Sequence, residues 1–288
     1  DLLPGWGEDE IEALLVGDSG DAVQDTVPEP PAKPLSKVGE VYEIGPHRLL
    51  CGDATDGPAV AAFLGDMKPF IMVTDPPYGV EYDPAWRNEA AAKGHIAFAA
   101  SRVGDVAHDD RSDWTEALSG FPCDVVYCWH AGRHASIVQS ALEAAGFVIR
   151  SQIVWAKPRF VISRGHYHWQ HEPCWYAVRK GSDAAWSGDR SQTTVWEISN
   201  VLTEVERSDL GAQKPIECMA RPIRNHGKKG DVVYDPFLGS GTTLIAAEQL
   251  GRVCYGIEID LAYCDVIRQR YANFVGDPKY SPTGELTK

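Results

Sequence analysis

Gly230-Asp231-Val232-Val233-Tyr234-Asp235-Pro236-Phe237-Leu238-Gly239-Ser240-Gly241-Thr242-Thr243 reads as a strand, a glycine loop and the start of a helix that continues through Leu244 to Leu250. Gly239 and Gly241 let backbone approach a ligand, and Ser240 or Thr242 is placed to cap the helix. This is the layout of a nucleotide-type site, but a carboxylate at the strand end, Asp235, repels a pyrophosphate and suits an ammonium. Thr242 and Thr243 follow Gly241 without a lysine, so the stretch is not a Gly-x-x-x-x-Gly-Lys-Ser/Thr phosphate loop. The next strand, Val253-Cys254-Tyr255-Gly256-Ile257, ends at Glu258. An acid there, about 20 residues past the loop, commonly takes ribose hydroxyls. The alternative for Glu258 is a solvated strand end.

Upstream, the apolar run Phe70-Ile71-Met72-Val73-Thr74 leads into Asp75-Pro76-Pro77-Tyr78. An exocyclic amino group on a nucleobase is a poor nucleophile because its lone pair is delocalised into the ring. A carboxylate and a main-chain carbonyl, each about 2.7 to 3.2 Å from that nitrogen, accept its two protons and favour a pyramidal, reactive geometry. Asp75 and the Pro76 carbonyl are the candidates. Proline fixes φ and restricts the residue before it, so Pro76-Pro77 holds both groups in one extended arrangement. Tyr78 offers a face for stacking on the base. The competing reading is an ordinary strand exit into a turn.

With both motifs in view, the chain resembles the DNA amino-methyltransferases, which act on adenine N6 or cytosine N4. The catalytic motif precedes the cofactor motif, which is similar to the β group, a circular rearrangement of the common methyltransferase fold. Leu50-Cys51-Gly52-Asp53-Ala54-Thr55, Ile153-Val154-Trp155-Ala156-Lys157-Pro158 and Gln213-Lys214-Pro215-Ile216-Glu217 agree, so the resemblance spans roughly residues 38 to 276. The family form ahead of Gln-Lys-Pro is His-Pro-Thr, whereas Leu210-Gly211-Ala212 stands here.

The resemblance implies S-adenosyl-L-methionine as cofactor. Asp53 would contact its adenine amino group, Lys214 its methionine carboxylate, Asp235 its amino group and Glu258 its ribose. Ala54, Asp75, Pro236, Phe237, Gly239, Ser240, Gly241, Thr242, Thr243 and Ile259 complete the expected cofactor set. Asp75, Pro76, Pro77 and Tyr78 would hold a target base flipped out of double-stranded DNA. Asp at the first motif position leans toward adenine N6, since cytosine N4 enzymes more often carry Ser. Cytosine N4 is the runner-up. A catalytically silent binding subunit and an RNA or protein methyltransferase are the readings of other classes.

The net charge of -14 over 288 residues looks wrong for a DNA-binding protein, but it is unevenly spread. Residues 1 to 36 hold nine acids against Lys33, whereas residues 150 to 180 carry a net +5 and are rich in histidine and aromatic residues. Lys157, Arg159, Arg164, His166, His168, Trp169 and His171 are therefore the expected DNA contacts, suited to phosphates and to base stacking. A core-covering hairpin with solvated cations is the alternative. No apolar run approaches the roughly 18 residues of a membrane span, and a cytoplasmic protein is expected. The seven cysteines contain no Cys-x-x-Cys pair, so reduced, packed thiols are expected.

Residues 1 to 37 read as an acidic segment and Pro-rich linker, with a short helix near 8 to 15 and a further N-terminal domain expected ahead of it. Residues 38 to 276 read as the catalytic domain and 277 to 288 as a tail. Strands are predicted at Phe70–Thr74, Val125–Trp129, Ile149–Trp155, Cys174–Val178, Val232–Asp235 and Val253–Ile257. Helices are predicted near 57–65, 132–145, 215–225, 242–250 and 261–274. The pattern is α/β, a doubly wound, mostly parallel sheet with its ligands at the carboxyl ends of the strands. Segments 79–115 and 158–205 have little regular pattern and read as DNA-facing insertions. His130 and His134 fall at i, i+4 on a predicted helix, but no further ligands at compatible spacing argue for a metal. Relatives commonly dimerise, and a homodimer is expected.

Overall fold

The computed structural model describes residues 27–80, 110–120, 122–161, 166–198 and 213–287, with backbone alone at 159–161. The expected helix at 8–15, most of the acidic segment, most of the 79–115 insertion, Arg164 and Leu210-Gly211-Ala212 lie outside the described residues.

The strands are β1 (Val41–Ile44), β2 (His47–Cys51), β3 (Ile71–Thr74), β4 (Val125–Trp129), β5 (Phe147–Val161), β6 (Trp169–Arg179), β7 (Val195–Glu197), β8 (Val232–Asp235) and β9 (Val253–Glu258). The helices are α1 (Gly57–Leu64), α2 (Thr115–Ser119), α3 (Ala135–Ala144), α4 (Ile216–Arg224), α5 (Thr242–Gln249) and α6 (Leu261–Val275). Local chemistry sets their ends. Asp56 caps α1 by accepting from Ala59 N, and Asp260 caps α6 by accepting from Ala262 N and Tyr263 N. Gly276, in the left-handed region, ends α6.

The strands form one sheet in the order β1-β2-β9-β8-β3-β4-β6-β5-β7. From β2 to β4 neighbouring strands run parallel, while β6 runs antiparallel to both β4 and β5. The late strands β8 and β9 sit between the early strands β2 and β3. A chain whose C-terminal strands fill the middle of the sheet is doubly wound and circularly rearranged, as expected.

Alternation along the strands builds two cores. Ile71, Val73, Val125, Tyr127 and Trp129 pack with residues of α4, α5 and α6, whereas Met72, Val126 and Cys128 pack with residues of α1, α2 and α3. Both faces are covered, which is why β3, β4 and β8 read as continuous apolar runs.

Two expectations need correction. The 158–205 segment carries the end of β5, all of β6's first half and β7, because β5 and β6 pair with each other beyond the end of β4. His130 and His134 do not share a helix: His130 directly follows β4, and His134 closes a 3-10 turn at Gly132–His134 before α3 begins. The buried strand Val125–Trp129 runs up to His130, so helical spacing does not apply.

Candidate active site

The parallel strands bring Asp53, Asp75, Asp235 and Glu258 to one edge of the sheet, each at or just past a carboxyl end. Asp235, 1% exposed, is held from three sides. Thr74 Oγ1 donates to its Oδ1 at 2.7 Å, Phe237 N to the same oxygen at 3.0 Å, and Thr243 Oγ1 to Oδ2 at 2.6 Å. Burial pushes its carboxyl up to about 6 against the pull of these donors. Asp235 thus pins β3, the glycine loop and α5 together.

The expected cap on α5 is not made. Gly241, at φ 88°, is the N-cap, with no side-chain hydrogen bond. The buried Arg270 takes Ser240 O at 3.0 Å and Thr242 Oγ1 at 3.2 Å, while Thr243 serves Asp235. Buried charges claim these oxygens because leaving a buried charge short of partners costs more than an uncapped helix N–H.

Glu258 accepts from Gly239 N and from Asp260 N, each at 2.8 Å, and burial pushes its carboxyl up to about 7. A Cβ on Gly239, which has φ 56°, would meet nothing within 4 Å, so the loop borders open space. On Gly256 a Cβ would fall 2.4 Å from Leu238 Cδ2; its absence lets the loop settle on β9. Asp53 is exposed and accepts from Thr55 N and Oγ1 at 2.8 Å each, beside the buried Ala54. Pro236 is buried, Ile259 is exposed, and Phe237 meets Trp114 edge-on at 4.8 Å between centroids. Carboxylates at successive strand ends around a glycine loop fit a ligand rich in hydroxyl and amino groups and disfavour a polyphosphate.

The second half of the site is an ionic cluster of half-buried side chains around a buried lysine. Lys214, 4% exposed, donates to Asp75 Oδ2 and to Tyr78 OH, each at 2.7 Å, and lies 2.8 Å from Glu172 Oε2. The other Glu172 oxygen pairs with Lys157, and Tyr78 OH donates to Glu172 Oε2 at 3.2 Å. Burial opposes the charge on Glu172, yet the ammoniums of Lys214 and Lys157 hold its carboxyl down at about 2. Burial likewise opposes the charge on Lys214, but Asp75 and Glu172 hold it above the ordinary lysine range. Asp75 sits above the usual aspartate range because burial outweighs its pairing with Lys214.

Asp75 Oδ1 is buried and has no hydrogen-bond partner among the described residues. Beside it, the register Thr74↔Cys128 sets Trp129 level with Asp75. Trp129 Nε1 and His130 Nε2 are likewise buried and unpartnered. His130 Nδ1 donates to Ala131 O at 3.1 Å, and burial lowers its pKa to about 4, so at neutral pH Nε2 is a bare acceptor. The tetrapeptide is clamped from outside: Trp114 Nε1 donates to Pro77 O at 2.9 Å and His134 Nδ1 to Tyr78 O at 2.6 Å, with Pro76 buried.

Lys157, expected on the DNA side, is instead committed to Glu172. His166, His168, Trp169 and His171 are exposed on the β5–β6 hairpin, past the end of β4, with Tyr167 92% exposed. Trp169 lies on the backbone of Gly132, where a Cβ would sit 2.8 Å from its ring. Glu172, Trp114, Trp129, His130 and His134 belong to the site but were not anticipated in it. Glu172 had one signal, being the sole acid in the cationic 150–180 stretch. All seven cysteines are free and buried, and burial pushes the Cys123 thiol up to about 12.

The model of a DNA methylase family matches residues 71–269, more than half of the chain and inclusive of both motifs. Type II methyltransferase M2.MboI of Moraxella bovis is 30% identical over 157 residues, which cover 50% of this chain and 58% of the relative. The chain therefore spans little more than half the length of that relative. Among solved structures, the M1.HpyAVI–SAM complex superposes with TM-score 0.55 at 22% identity, covering 77% of this chain and 98% of that one. PvuII DNA methyltransferase, cytosine-N4-specific, superposes with TM-score 0.54 at 16% identity over 83% of this chain and 88% of that one.

Proposed function

The chain belongs to the DNA methylase family of N6/N4 amino-methyltransferases, and from that premise we propose that it methylates adenine N6 in double-stranded DNA, using S-adenosylmethionine. The observation that carries this reading is Asp75 Oδ1: a buried carboxylate oxygen without a partner among the described residues, while its twin is fixed by Lys214. An unpartnered buried acceptor is costly unless a ligand completes it. An amino group is the donor that suits it.

When bound, S-adenosylmethionine supplies a methyl group already activated by its sulfonium. Asp53, Glu258 and the Gly239–Gly241 loop would hold it, with Asp235 shaping the loop from below. Asp75 Oδ1 and the Pro76 carbonyl would accept the two amino protons of the flipped base and aim its lone pair. After transfer, Asp75 Oδ1 is placed to take the proton that the nitrogen gives up. Stacking on Tyr78, worth about 1–3 kcal/mol, would offset part of the few kcal/mol that extrusion costs. His166, Tyr167, His168, Trp169 and His171 project on the same edge of the sheet as Asp75, which supports a DNA-facing role for the hairpin.

The preference for adenine rests on Asp75. Cytosine N4 remains the second reading, supported by the likeness in fold to the cytosine-N4-specific PvuII enzyme. Duplex DNA incubated with the protein and S-adenosylmethionine, then digested to nucleosides, should yield N6-methyldeoxyadenosine. N4-methyldeoxycytidine alone would reverse the base assignment, and an unmodified digest would reject the activity.

A further inference from the structure

We propose that Lys214 is a positioning residue which fixes the base-facing carboxylate of Asp75, with Glu172 as its counter-anion, and that it does not bind the cofactor's carboxylate. The proposal rests on the amino-methylation reading above and specifies how its carboxylate is held.

An ammonium has three protons to donate. Those of Lys214 have three acceptors within 2.8 Å: Asp75 Oδ2, Tyr78 OH and Glu172 Oε2. The side chain is almost wholly buried, so no face of the nitrogen is left for a further anion. A cofactor carboxylate could reach it only by displacing one of these partners. It would also add a third carboxylate to a half-buried set in which Lys157 and Lys214 already balance Asp75 and Glu172. Holding Oδ2 leaves Oδ1 as the one oxygen of this carboxylate open to a substrate among the described residues, and opposes rotation of the carboxylate. Glu172 finishes the arrangement from β6: its Oε1 takes Lys157, and its Oε2 takes Lys214 and Tyr78 OH. One acid therefore sets the position of both the lysine and the tyrosine that flank Asp75.

The groups around Asp75 make the pH response readable. Burial raises its pKa, Lys214 opposes that, Glu172 adds to the rise, and the Tyr78 hydroxyl lowers it. Cys128 of β4, Cys174 of β6 and Cys218 of α4 are buried thiols pushed up by desolvation, and His130 stays neutral. Asp235 on β8 is a further carboxylate close by among the described residues, with Lys157 beyond Glu172. Removing the lysine charge should move the acid limb of the rate profile to higher pH; removing the glutamate charge should move it to lower pH.

The test uses the full chain with Lys214→Met and Glu172→Gln. Cofactor Kd is measured by calorimetry with S-adenosylmethionine alone, and single-turnover methylation of duplex DNA is measured at saturating cofactor across pH. We expect Lys214→Met to change Kd by no more than about threefold while the methylation rate falls by about a hundredfold or more. Glu172→Gln should leave Kd in place and shift the acid limb downward, and Lys214→Arg should restore part of the rate. A larger effect of Lys214→Met on Kd than on rate overturns the proposal. Should Lys214→Met fail to fold, Glu172→Gln decides, and an unmoved acid limb overturns it. If the wild-type chain methylates no DNA, the functional reading fails by itself, and the Kd comparison still reports whether Lys214 is a cofactor ligand.

Discussion

Asp75 and Asp235 end adjacent strands with the same carboxylate, and their surroundings give them opposite tasks. Asp235 has donors from Thr74, Thr243 and the Phe237 backbone, so it is a structural pin. Asp75 has one oxygen bound and one without a partner among the described residues. Asp75→Ala should therefore lower turnover on the order of 10²–10⁴-fold, as loss of a positioned proton acceptor does, while cofactor affinity holds. Asp235→Ala should instead lower the unfolding midpoint, because three donors lose their acceptor, and weaken cofactor binding through the loosened loop. Paired calorimetry, turnover and thermal denaturation separate the two; turnover near wild type in Asp75→Ala would remove that residue from the chemistry. Asp75 was legible because its chemistry is contiguous with Pro76-Pro77-Tyr78. Glu172 was not, since its partners Tyr78 and Lys157 lie 94 and 15 residues away and meet it only across the folded sheet.

At the scale of elements, the glycine loop is specified by its own sequence to a greater degree than the β5–β6 hairpin. The β8–loop–α5 unit follows from local rules: an apolar run, glycines and a helical pattern in succession. Even there the capping assignment failed, because Arg270 of α6 and Asp235 of β8 compete for the hydroxyls, and that competition is tertiary. Gly256 is the point where loop and strand touch. Gly256→Ala would push a methyl into Leu238, and overpacking of this kind costs about 1–3 kcal/mol. The expected result is a lower denaturant midpoint together with a weaker Kd for S-adenosylmethionine; an unchanged Kd would show that the loop does not depend on this contact. The hairpin outruns its sequence pattern because Val154, Trp155 and Ala156 pair with Pro173, Glu172 and His171, and Val161 with Trp169 across a register shift, all past the reach of β4.

Across the whole molecule, the buried acids link stability to pH. Glu258 and Asp235 are raised to about 7 and about 6 from ordinary values of 4.5 and 3.8. Their contribution is fully present below the unfolded values and is lost as pH rises through the folded ones. Glu172, held at about 2, works the other way, and its contribution is lost as pH falls from 4.5 toward 2. The free protein should accordingly show a Tm that declines from pH 5 to pH 8, reinforced by self-repulsion of a chain with net charge -14. If the ribose of S-adenosylmethionine is held by Glu258 as proposed, saturating cofactor should flatten that decline, since hydroxyl donors to a carboxylate favour its ionised form. Differential scanning calorimetry over this range checks both, and a Tm that rises toward pH 8 would contradict the burial of these carboxyls. No helix among the described residues is long and apolar enough to cross a membrane. The sequence by itself determined the doubly wound class, the rearranged order and the two motifs, because each motif is a short run whose backbone, strand end and chemistry are specified by neighbours in the chain. Only the tertiary structure decided that Lys214 meets Asp75, that Glu172 and Lys157 complete the cluster, and that one oxygen of Asp75 is left bare. Those facts depend on strand order and register, which bring together charges from the end of β3, from β5 and β6, and from the approach to α4 around one buried lysine.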